Sequence, residues 1–193
     1  MNTEKDTSHL IKDKDIKLEL NSKNILIIAG IFLLSFIIPI VNKASLLTFI
    51  QVGALSLLLT YISLIDIKTH LCPNWPNLVI LTLAIPNIII NISEQYYFGV
   101  INMLLGALFG FLPLFISAIF TKNGIGGADI KIMTTLGFLV GPSKIIAILF
   151  ASLLISIIFT VIKGIKNKDI KNTAFAFLPY ISFCTLIILP LGI

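Results

Sequence analysis

The chain has 193 residues, 57% hydrophobic and 12% charged, with a mean hydropathy of +1.04. That balance excludes a soluble globular domain of ordinary composition and points to an all-α polytopic membrane protein. The net charge of +5 comes from 14 lysines, with no arginine, against nine acids. These lysines sit in connecting segments rather than in a stripe with aromatics, so nucleic-acid binding gains no support.

Residues 1–23 are polar, with balanced lysines and acids and no small-residue cleavage site after them. They read as a cytoplasmic tail ahead of one membrane domain, 24–193. Uncharged runs then occur at about 24–42, 44–65, 71–92, 99–121, 132–142, 145–162 and 173–193. A membrane-crossing helix takes roughly 20 apolar residues, which predicts about seven transmembrane helices with the fifth one short. That fifth segment either crosses with Gly126–Lys131 shielded by protein or is re-entrant. Trp75, Tyr96 and Tyr97 suit interfacial anchoring. Gln51, Asn87, Asn91 and Asn102 are expected to hydrogen-bond between helices.

Seven crossings place 1–23, 66–70, 121–131 and 163–171 on one side, and that side collects 12 of the 14 lysines. Only Lys43 and Lys144 fall opposite. The bias predicts a multi-pass plasma-membrane protein with the lysine-rich side in the cytoplasm.

Two acids stand at apolar boundaries: Asp66 in Leu64-Ile65-Asp66-Ile67-Lys68-Thr69-His70, and Asp129 in Gly124-Ile125-Gly126-Gly127-Ala128-Asp129-Ile130-Lys131. An ionisable residue there is costly and marks a functional candidate. The chain crosses out and back between them, so both lie on the same face whichever orientation holds. Two close carboxylates cannot both ionise freely; one holds a proton while the other accepts one, which is what peptide hydrolysis by activated water requires. Gly124, Gly126 and Gly127 let the backbone bend and approach a substrate closely. Taken singly, each aspartate also reads as a capping residue beside a lysine. Phosphate binding by the glycine loop lacks the fingerprint spacing and the preceding strand. Asp129 opens a helix and Asp66 closes one, so the helix termini favour the negative charge on Asp129 and the shared proton on Asp66.

These motifs resemble the type IV prepilin peptidases, membrane aspartyl proteases that process prepilins, pseudopilins and archaeal preflagellins. Asp66-Ile67-Lys68-Thr69-His70-Leu71-Cys72-Pro73-Asn74 is similar to the family's first motif. Gly126-Gly127-Ala128-Asp129-Ile130-Lys131, followed by Leu136-Gly137, is similar to its second, with Ala128 where the family has Gly. Phe177-Leu178-Pro179-Tyr180 resembles a Pro-centred segment of the last helix. The resemblance implies an aspartic-type endopeptidase that removes the leader of prepilin-like proteins at the cytoplasmic face, with Asp66 and Asp129 catalytic. Gly126 and Gly127 would shape the substrate approach, and Lys68 and Lys131 would tune the acids or contact the leader.

Long members of that family carry a paired Cys-x-x-Cys insertion between their first spans, associated with N-methylation. Here Asn42-Lys43-Ala44 is the whole connection, and Cys72 and Cys184 make no four-cysteine set. No cofactor or metal is therefore expected. The expected partners are prepilin or pseudopilin substrates and the lipid bilayer; the sequence does not fix an oligomeric state. An ion- or proton-coupled transporter is the alternative, but it calls for two related halves with broken helices, and no such symmetry is visible. A presenilin-type protease calls for a Pro-Ala-Leu element that the last helix lacks.

Overall fold

The computed structural model describes residues 30, 33, 35–41, 45–69, 73–120, 126–167 and 177–189; the expected tail, 1–23, lies outside them. Seven helices follow in order among these residues, without a strand: α1 (Ile37–Val41), α2 (Leu46–Thr69), α3 (Trp75–Ser93), α4 (Tyr97–Phe120), α5 (Gly127–Val140), α6 (Pro142–Asn167) and α7 (Leu178–Ile188). Each expected apolar run overlaps one of them. Four, α2, α3, α4 and α6, are long and apolar enough to cross a membrane. This is a multi-pass, all-α membrane protein.

Proline and glycine mark the helix boundaries. Pro76 and Pro179 stand in the first turns of α3 and α7 and Pro142 opens α6, positions where a missing N–H leaves no helical bond unmade. Gly141 alone joins α5 to α6. Its φ of 82° is left-handed, and its N–H donates to the Gly137 carbonyl at 2.9 Å, which ends α5 sharply.

With 14 residues α5 rises only about 21 Å, short of the roughly 30 Å hydrocarbon core. It starts five residues ahead of the expected run at 132, because Gly126 caps it and the turn bearing Asp129 and Lys131 is already helical. It buries Ile132, Met133, Leu136 and Leu139 among its neighbours, so protein rather than lipid shields it.

α2 is the central span, with 56% of its window buried against 17% for α3 and 22% for α4. Its inner face presents Val52, Leu55, Leu59 and Ile62 to a core completed by Ile80, Ile148 and Ile181. Polar bonds fix the register of the bundle. Gln51 Nε2 donates to Asn87 Oδ1 at 2.9 Å and to the Leu83 carbonyl at 3.0 Å, joining α2 to α3 as expected for intramembrane amides. Ser63 and Ser182 share a buried hydroxyl bond of 2.6 Å between α2 and α7. Lys144 Nζ donates to the Leu189 carbonyl at 3.0 Å, capping the end of α7.

α4 and α5 pack backbone to backbone. A Cβ built on Gly106 would fall on the Gly137 carbonyl oxygen, and one on Gly137 would fall on that of Gly106. A Cβ on Gly110 would meet the Met133 carbonyl oxygen. Gly106 and Gly110 form a Gly-x-x-x-Gly face, which permits such close approach of two helices in lipid.

Candidate active site

Asp66 lies in the last turns of α2 and Asp129 in the first turn of α5. The chain path brings these two ends to the same end of the bundle. Asp66 is buried at 8% exposure, and Ser63 stands one turn before it on the same helix face. Ser63 is fixed by the Ser182 hydroxyl and by the Leu59 carbonyl at 2.7 Å, so the stretch of α2 leading to Asp66 is held against α7.

Asp129 is the third residue of α5, behind the cap Gly126. Its N–H donates to the Gly126 carbonyl at 3.1 Å, while its carboxyl group accepts the Gly126 N–H. The carboxyl bond to the cap N–H is the half of a capping box that a glycine cap allows, with aspartate in the third position. A Cβ on Gly126 would stand 3.3 Å from Asp129 Oδ2, so a side chain there would crowd the folded-back carboxyl. A Cβ on Gly127 would meet nothing within 4 Å; this glycine leaves open space beside the acid.

The α5 N-terminus lies outside the four crossing spans, and Asp129 there is half-buried. Burial, and then the negative charge of Asp66, push its pKa from 3.8 up to about 7, while the Gly126 N–H pulls the other way. The two carboxyl groups are thus close enough to titrate together. A local backbone bond and terminus favour the carboxylate, but desolvation and the facing acid outweigh them.

Lys131 Nζ donates to Asn74 Oδ1 at 2.9 Å, linking the second motif to the Pro73-Asn74 end of the first. One turn further along, the Thr135 hydroxyl lies 3.4 Å from Asn77 Oδ1, with the Ile132 and Lys131 carbonyls nearer to its one proton at 3.0 and 3.1 Å. Lys68 belongs to α2, but its side chain, together with His70, Cys72, Gly124 and Ile125, lies outside the described residues. Phe177 caps α7 and Tyr180 packs against Phe159 of α6, ring centroids 5.7 Å apart. Cys184 is buried in α7. Among the described residues no three His, Cys, Asp or Glu side chains gather as a metal site.

Three features go beyond the sequence reading: the Gly106–Gly110–Gly137 contact, the Lys131–Asn74 bond and the Thr135–Asn77 contact. The Gly-x-x-x-Gly spacing was a signal for the first. The other two join residues far apart in the chain, and no local pattern announces them.

A helical membrane bundle that places two interacting acids at one end, each at a helix terminus, defines the class of membrane proteins with an aspartate pair. The model of the Type IV leader peptidase family matches residues 53–161, 109 of the 193, and this chain belongs to that family. Asp66, Asn74, Asp129 and Lys131 all fall inside the matched stretch. A Bacillus subtilis (strain 168) protein named "Prepilin leader peptidase/N-methyltransferase" is 32% identical over 125 residues, 65% of this chain and 49% of that protein. The chain therefore spans about half the length of the curated relative it matches. No solved structure matches it.

Proposed function

We propose that this protein is an aspartic-type endopeptidase that removes the leader of type IV prepilin-like proteins at the cytoplasmic face of the plasma membrane. The observation that carries the reading is the pair itself. Asp129 has its pKa raised to about 7 by burial and by Asp66, which suits a pair in which one acid keeps a proton while the other is ionised. Membership of the leader peptidase family and the name of the Bacillus relative support the substrate class. The lysine distribution supports the cytoplasmic face.

In the proposed mechanism the ionised carboxylate takes a proton from water as the water oxygen attacks the scissile carbonyl carbon. The protonated partner gives its proton to the developing oxyanion, and the tetrahedral intermediate collapses with proton transfer to the leaving amine. Gly126 and Gly127 leave room for an extended substrate backbone beside Asp129. Lys68 is proposed to contact the leader or tune the acids. The substrate's apolar helix would lie in lipid against the bundle, with its leader bond presented to the pair. In the test, purified protein in proteoliposomes is incubated with a type IV prepilin and the products are read by mass spectrometry. Leader release at one bond supports the reading. An intact prepilin, with the peptidase folded, contradicts it.

A further inference from the structure

We propose that Lys131 and Asn74 form a positioning clamp that sets the separation of the two carboxyl groups; this rests on the proposed role of Asp66 and Asp129. The Lys131–Asn74 bond of 2.9 Å joins α5 to the start of α3. Lys131 stands two residues beyond Asp129, and Asn74 follows the end of α2, which carries Asp66. The bond therefore holds the turn that carries Asp129 against the start of α3, while the Ser63–Ser182 bond holds the part of α2 that leads to Asp66.

The clamp has a second rung. Asn74 and Asn77 are three apart across the start of α3, and Lys131 and Thr135 are four apart on α5, so each pair shares a helix face. Thr135 reaches Asn77 at 3.4 Å, and Asn77 Nδ2 donates to the Asn74 carbonyl at 3.3 Å. The Lys131 bond sets the distance of α5 from α3, and the longer Thr135 contact lies on the same face one turn on. Rotation decides where Asp129 points, because the acid and the lysine lie on one turn.

The bond itself argues against the competing role: Lys131 gives a donor to a neutral amide oxygen within the protein, so its ammonium group is placed before any substrate arrives. A neutral partner holds the ammonium group without cancelling its charge or adding a third carboxylate beside the pair. The α4–α5 contact at Gly106 and Gly137 secures the far end of α5. The clamp secures the end that bears the acid.

The test is steady-state cleavage of a type IV prepilin by the full chain in proteoliposomes, comparing single, double and conservative variants. Asn74→Ala and Lys131→Met should each lower kcat about tenfold or more with KM within about twofold, since both misplace a reacting group without touching substrate. The double variant should be no slower than the slower single variant, because either change opens the clamp. Lys131→Arg and Asn74→Gln, which keep a cationic donor and a neutral amide oxygen across the gap, should stay within about threefold of the parent kcat. The conservative pair also decides the matter if the other variants fail to fold: a loss as deep as tenfold in both, with native thermal unfolding, overturns the clamp. A raised KM with unchanged kcat in Lys131→Met assigns the lysine to the leader and overturns it too, as do additive losses. Asp66→Asn is run alongside; activity in that variant removes the acid-pair reading, whereas the clamp is judged on Asn74 and Lys131.

Discussion

Replacing Gly110 by alanine should damage the site from within the α4–α5 interface. The added Cβ would fall on the Met133 carbonyl oxygen and stand 3.4 Å from Ile145 Cγ1. A backbone oxygen in a helix cannot rotate away, so the two helices must part by about 1 Å to regain ordinary contact. Overpacking of this kind costs about 1–3 kcal/mol. Met133 lies one turn beyond Asp129, while Asp66 is anchored separately by the Ser63–Ser182 bond, so the displacement appears in the geometry of the pair. A misplacement of about 1 Å in a reacting group lowers the rate about 100-fold. The assay is the initial rate of prepilin cleavage in proteoliposomes, paired with thermal unfolding. Leu108→Ala, on the lipid-facing side of α4 with 47% exposure, serves as the control. If Gly110→Ala matches the parent in both rate and unfolding temperature, the close-contact argument is refuted.

Stability should depend on pH through Asp129. Its native pKa of about 7 lies above the 3.8 of the free group, so the folded state binds the proton more tightly; stability is fully present below 3.8 and is lost as pH rises through 7. The difference in unfolding temperature between the parent and Asp129→Asn, followed from pH 4 to 8, should show this slope, and a flat difference would contradict it. Gln51→Leu should lower stability by about 1 kcal/mol by removing its bonds to Asn87 and Leu83, while leaving the cleavage rate unchanged. A large loss of rate without a loss of stability would show that the amide pair serves the chemistry instead.

The helix order was readable from hydropathy because each apolar run exceeds or approaches the length of a span. That Asp66 and Asp129 share one end of the bundle was readable from parity; that they interact was not. The start of α5 was not, because the charges of Asp129 and Lys131 interrupt the uncharged run while the capping glycine lets the helix begin earlier. Nor was the raised pKa of Asp129. Its local surroundings, a helix start and a capping N–H, favour the anion, and only the folded protein shows burial and the facing acid outweighing them. The Lys131–Asn74 bond depends in the same way on the packing of α3 against α5. Lys68 was singled out from its place in the first motif, and its side chain lies outside the described residues.

The central claim is that Asp66 and Asp129 together activate water. Asp66→Asn and Asp129→Asn preserve shape but cannot exchange the proton. Prepilin cleavage by each purified variant, followed by mass spectrometry alongside the parent protein, is the most direct measurement. Neither variant should release leader, although both are expressed and folded as the parent is. Full cleavage by either one would contradict it.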